Sequence, residues 1–131
     1  MEEYEKHKAA LRAFIRELEK NPPKTQELKE KARFSFATNL AIFSEYSEML
    51  YHEKDEAEEK KRVARKVAYE RIQGDPDLSA TKSTRGKEAD RWLEHDGKVI
   101  AADLALTRAW SQIRVFDLLI STSNNILNSL K

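Results

Sequence analysis

The chain has 131 residues, of which 24 are basic and 23 acidic, so a global positive field for nucleic acid is excluded and any such site must be a local patch. It has no cysteine, which excludes disulfides, thiolate catalysis and cysteine zinc sites and is compatible with the cytoplasm. Three glycines, three prolines and 36% charged residues favour long surface helices over a turn-rich β fold. We therefore predict one all-α protein. We expect neither a signal peptide nor a membrane span, because the sequence contains no apolar run of the required length.

The first predicted element is an amphipathic helix over Glu2–Lys20. Its apolar residues recur at helical spacing, at Tyr4, Leu11, Phe14, Ile15 and Leu18. The helix is predicted to end at Asn21-Pro22-Pro23, because proline lacks a backbone donor and disfavours the α conformation in the preceding residue. Residues 1–23 are thus predicted to be an arm on a stiff hinge. The arm docks onto a hydrophobic groove of its own chain or of a neighbour.

Residues 24–131 are predicted to form a helical hairpin domain for DNA binding and oligomerisation. Its first helix restarts at Lys24, since Thr25–Gln73 contains neither proline nor glycine, and its apolar face includes Phe36, Leu40, Phe43 and Leu50. As one helix this segment would be roughly 75 Å long, whereas a compact domain of this size has a radius of gyration near 14 Å. Either the helix breaks near residues 52–56, or the molecule is elongated.

A turn is predicted at Gly74-Asp75-Pro76-Asp77, followed by a return helix from about Lys87 to Leu130. Apolar residues recur every seven positions along it, at Val99, Leu106, Ile113, Ile120 and Leu127. A second series follows three residues after each, at Ala102, Ala109, Phe116, Ser123 and Leu130. This is the spacing of a coiled-coil-like seam.

Between Ile113 and Ile120 the apolar residues point around nearly the whole helix circumference, so the helix must be covered on more than one side. A core helix of a bundle explains this pattern, and so does self-association. We predict a homo-oligomer interface formed by Ile113, Phe116, Leu118, Leu119, Ile120, Ile126, Leu127 and Leu130.

No catalytic residue, metal ligand set or cofactor is predicted, so the protein is not expected to be an enzyme. His7, His52 and His95 lie far apart in sequence, and no cysteine or second histidine accompanies any of them at metal-binding spacing. Three aspartates of the return helix are too widely spaced to act as a catalytic carboxylate pair. They are interpreted as charges that flank the seam and set its register, at Asp96, Asp103 and Asp117.

The candidate functional surface is basic. Six cations occur within twelve residues of the second helix, at Lys60, Lys61, Arg62, Arg65, Lys66 and Arg71. Four more follow the turn, at Lys82, Arg85, Lys87 and Arg91. Cations that follow phosphates, with Tyr69 available for stacking, are typical of sequence-tolerant single-strand binding. The alternative is an ordinary solvated face, in which acids one turn earlier pair with these cations, as Glu58 would with Arg62.

The order of these features resembles the UvsY family, the recombination mediator proteins of tailed phages. The likeness covers about residues 35–130. It lies in Asn39–Tyr46, in Lys61–Lys66 ahead of Gly74, and in the spacing of Leu93, Asp96, Val99, Ile100 and Asp103. Lys66 matches a basic position of the family's DNA-binding segment, whereas the next arginine of that segment falls on Ala68 here.

The resemblance implies a homo-oligomer in the host-cell cytoplasm that binds single-stranded DNA. It also implies that the protein helps a RecA-like recombinase to displace single-strand-binding protein. The competing hypothesis from another class is a non-enzymatic helical adaptor or phage assembly protein, which the heptads and the near-neutral charge favour. Salt-dependent binding to an unstructured oligonucleotide distinguishes the two.

Overall fold

A computed structural model of the protein describes residues 2–74 and 96–131. Within those ranges the chain is all-α with no strand, which confirms the predicted fold class. The helices are α1 (Glu2–Lys20), α2 (Gln26–Ser44), α3 (Ser47–Gln73) and α4 (Gly97–Ser129). The chain divides into two compact units. The first comprises Met1–Met49 with Ile113–Lys131, and the second comprises Leu50–Gln112.

Side-chain caps fix the starts of two helices. The Thr25 hydroxyl accepts a hydrogen bond from the Leu28 backbone N–H at 3.2 Å and so caps α2 after the proline hinge. The Asp96 carboxylate accepts from the N–H groups of Lys98 at 3.0 Å and Val99 at 3.1 Å. Gly97 therefore occupies the first turn of α4. The part of the predicted return helix from Lys87 to His95 lies outside the described residues.

Of the two alternatives left open for this segment, a break near residues 52–56 is wrong, since α3 runs unbroken from Ser47 to Gln73. The helix is instead interrupted at Glu45 and Tyr46. The charged stretch stays helical with pairs one turn apart, such as His52–Glu56 at 3.1 Å. At the interruption Tyr46 meets Tyr4 edge to face, with ring centroids 5.4 Å apart. Tertiary packing of an aromatic ring, rather than a helix breaker in the sequence, accompanies the turn.

The first unit has an aromatic core. Phe43 stacks between Tyr4, at a centroid distance of 5.6 Å, and Phe116, at 4.9 Å. Phe14 of α1 contacts Phe36 of α2 at 5.3 Å. The arm helix thus packs on α2 of its own chain and buries Tyr4 and other apolar residues in the same core. Stacked aromatic pairs add about 0.5–1.5 kcal/mol to the free energy gained by burial alone.

The second unit has an aliphatic core and charged contacts between α3 and α4. Its buried residues, among those that the structure describes, are Leu50, Ala57, Ala68, Ile72, Val99 and Ala109. Lys61 of α3 pairs with Asp103 of α4 at 2.5 Å. On the same pair of helices, the Lys54 ammonium lies 5.1 Å from the centroid of the Trp110 ring, a cation–π contact. Hydrogen bonding to Asp55 raises the pKa of Lys54 and keeps it charged, although partial desolvation opposes the shift.

Candidate nucleic-acid interface

The six predicted cations of α3 do not share one face. At 3.6 residues per turn, the side chains of Lys60, Arg65 and Lys66 leave the helix roughly 100–140° apart. Lys61 points towards α4, where its ammonium meets Asp103. The patch that looks continuous in sequence is therefore divided among different sides of the helix.

Two of the arginines are paired with acids. Arg62 binds both carboxylate oxygens of Glu59, at 2.9 and 2.6 Å. This hydrogen bonding lowers the pKa of Glu59 and raises that of Arg62. The partner is Glu59 rather than the predicted Glu58. Both side chains remain about 60% exposed or more, so phosphate can compete with this ion pair in solution.

Arg71 makes a contact between two helices. Its guanidinium donates to the Asp96 carboxylate that caps α4, so the arginine joins the end of α3 to the start of α4. The capping bond from the Val99 N–H lowers the pKa of Asp96, desolvation opposes this, and Arg71 lowers it further. Asp96 is therefore a helix cap rather than only a seam-flanking charge, and Arg71 is less available to a phosphate than sequence suggests.

Arg65 and Lys66 are exposed, and neither has an ion pair or hydrogen bond among residues 2–74 and 96–131. With Arg62 and Tyr69 they occupy positions i, i+3, i+4 and i+7, which is one side of an α-helix. We call these four residues the basic face. Tyr69 is half-buried and packs against the buried pair Ala68 and Val99, which fixes it at the edge of this face.

Lys60 lies on another side of α3, beside an open groove of about 390 Å³. The groove floor is apolar, and its rim carries Lys60 from α3 and Lys98 from α4. Val63 and Val67 are 45% and 57% exposed along it. We call this feature the valine groove. The sequence gives no signal that Lys98 belongs to this groove, since only the folded chain brings α4 beside α3.

The four cations predicted beyond the turn lie outside the described residues. These are Lys82, Arg85, Lys87 and Arg91. Their place in the DNA-binding site stays a prediction from sequence. Within the part of the chain that the structure describes, the second unit supplies the basic face and the valine groove as separate surfaces.

The residues predicted to form the oligomer interface fall into two groups. Ile113, Phe116, Leu119 and Leu130 are buried within their own chain, and Ser123 of the same seam is fully buried with them. Ile120, Ile126 and Leu127 are half-buried. Only Leu118 of the predicted set is strongly exposed, at 69%. Leu118 is thus the most exposed member of the predicted interface, and the oligomer interface stays a prediction.

Comparison of the chain with protein-family models, with curated proteins and with solved structures gave no match. Over residues 2–74 and 96–131, no three His, Cys, Asp or Glu side chains are grouped as a metal site requires. None of the helices in those ranges has the length and apolar character needed to cross a bilayer.

Proposed function

We propose that the protein binds single-stranded DNA through the basic face and acts as a recombination mediator. The observation that carries the proposal is the pair of adjacent exposed cations, Arg65 and Lys66, which have no partner among the described residues. Arg62 flanks them and Tyr69 lies one turn further along. The release of condensed counterions favours binding of phosphates to such cations, and the face of an aromatic ring can stack on bases of any sequence.

One basic face makes few contacts, so its affinity for a strand would be low. A homo-oligomer binds the strand more tightly than one copy does, because linked copies engage the same strand at high effective concentration. The gain in avidity is about 10²–10⁴. A strand held at several points could be presented to a RecA-like recombinase while single-strand-binding protein is displaced. These partners come from the resemblance to the UvsY family.

The test of strand binding is a double charge reversal, R65E/K66E. Fluorescence anisotropy with a labelled, unstructured oligonucleotide measures affinity, and circular dichroism checks that helicity is unchanged. We expect affinity to fall by about tenfold or more, because two phosphate contacts become repulsions. The matched control is R12E/R16E, which makes the same charge change on exposed positions of α1.

The control separates a local site from the field of the whole protein. If R12E/R16E weakens binding as much as R65E/K66E, net charge rather than the basic face governs affinity.

The mediator step needs its own assay. A variant that binds strands poorly should also fail to speed assembly of a RecA-like recombinase on strands coated with single-strand-binding protein.

A helical adaptor is the second candidate. The observation that favours it is the pairing of Lys61, Arg62 and Arg71 with acids, which engages three of the six predicted cations of α3. If neither wild type nor R65E/K66E binds single strands at low salt, the basic face serves solvation and the adaptor function is favoured.

A further inference from the structure

The valine groove has features that the proposed strand-binding function does not use. Its floor is formed by Val63, Ala64, Val67 and Ala68, an apolar strip at helical spacing on α3. Val63 and Val67 are β-branched, solvent-exposed and set among charged residues. Burying the exposed part of such side chains against a partner is favourable, because it removes apolar surface from water.

The charges on the groove rim do not cancel. Glu59 is neutralised by Arg62, and Asp96 by Arg71 and the α4 N–H groups. Lys60 and Lys98 remain, and neither has an ion pair with any residue that the structure describes. The lining residues include three cations and two acids, so the groove presents an excess of one positive charge, and Lys60 and Lys98 are its cations without an ion pair among the described residues.

The two lysines come from different helices. Lys60 belongs to α3 and Lys98 to α4, so each helix contributes one cation to the rim. The complementary shape is an apolar stripe with acids on both flanks, which is the pattern of an acidic amphipathic helix. Helix-in-groove recognition uses such stripes, and complementary charges fix the register and speed encounter.

We propose that the valine groove binds an acidic amphipathic peptide segment of a partner protein. The basic face and the groove point to different sides of α3, because Lys66 and Lys60 lie roughly 120° apart around the helix. A strand and an acidic peptide could thus be held together on the same helix. The proposal does not depend on strand binding, and its main test uses a peptide rather than DNA.

The probe is a labelled synthetic peptide in which Leu and Phe form one face of a helix and Asp and Glu the flanks. Its binding to the full chain is followed by fluorescence anisotropy. A second peptide, with Lys in place of every acid, reports purely apolar adhesion. We expect the acidic peptide to bind at least tenfold more tightly than the basic one, and the preference to weaken in high salt.

Two groove variants locate the site. K60E/K98E reverses both rim cations, and V67D places a charge on the floor at a position that is already exposed. Each should reduce peptide affinity by about tenfold or more, which is a loss of about 1.4 kcal/mol. R65E/K66E is the matched control, since it changes equal charge on the other side of the helix and should leave peptide binding unchanged.

Several results would overturn the proposal. One is a wild type that does not bind the acidic peptide, and another is equal binding of the two peptides. A third is an R65E/K66E variant that loses peptide binding as completely as K60E/K98E. A V67D variant that changes the oligomer size would assign the groove to a contact between copies of the chain instead. If an oligonucleotide binds K60E/K98E as poorly as it binds R65E/K66E and displaces the peptide, the groove belongs to the strand site.

Discussion

Ser123 provides an unusual stability test, because its truncation should strengthen the fold. The residue lies on the apolar seam of α4 in the first unit and is fully buried. Its hydroxyl oxygen has no hydrogen-bond partner among the described residues. A buried polar group left unpaired costs about 1–3 kcal/mol, and alanine is also the better helix former by roughly 0.5 kcal/mol.

Ser123→Ala should therefore raise the free energy of unfolding by about 1–2 kcal/mol, with little cavity because a single oxygen is removed. Urea unfolding followed by circular dichroism measures the change, and Tm should rise by several degrees. Ser121→Ala is the matched control, since Ser121 is exposed on the same helix and reports helix propensity alone.

The comparison of the two variants decides the outcome. Ser123→Ala should exceed Ser121→Ala by about 1 kcal/mol, the part due to removing the unpaired hydroxyl. Equal gains would mean that the hydroxyl is satisfied in solution. A loss of stability in Ser123→Ala would show that Ser123 makes a favourable contact and would refute the reasoning.

Three further predictions follow from the same structure. Tyr4→Ala should destabilise the first unit by about 3–5 kcal/mol in urea unfolding, because Tyr4 is buried against Phe43; a loss below about 1 kcal/mol would show that the arm is only loosely attached. Leu118→Asp should yield smaller, still helical species in light scattering, whereas a wild type that is monomeric at micromolar concentration would contradict self-association. Asp96→Ala should be less stable than wild type at neutral pH, with the difference shrinking in acid. The folded-state pKa of Asp96 is lowered, so its stabilisation is present above the pKa of the unfolded chain and disappears as pH falls through the folded value; a difference that does not change as the solution is acidified would disprove this linkage.

The presence of the helices could be predicted from sequence, because the spacing of apolar residues and the positions of prolines reflect local backbone preferences. The arm over Glu2–Lys20 and its end before the prolines agree with the structure. The interruption at Glu45 and Tyr46 could not be predicted, since neither residue is a helix breaker. Its position coincides with contacts between Tyr46 and rings of α1, which are far away in sequence.

The candidate site was only partly predictable for a similar reason. The cations of α3 could be identified because they are clustered in sequence. The geometry of the helix, however, places them on different sides of it. The pairing of Lys61 with Asp103 depends on a contact between α3 and α4, as does that of Arg71 with Asp96. Such pairs span 25 residues or more of chain, so periodicity within one helix gives no signal for them. The cation of α4 that completes the valine groove rim, Lys98, was hidden in the same way.

The salt dependence of strand binding tests the central claim most directly. The logarithm of the association constant is measured against the logarithm of salt concentration for wild type and R65E/K66E, with the same unstructured oligonucleotide. If Arg62, Arg65 and Lys66 each neutralise a phosphate, the wild-type slope is about −2 or steeper, at about −0.7 per contact. The variant should show a slope shallower by at least about 1. Identical slopes and affinities for the two proteins would contradict strand binding by the basic face.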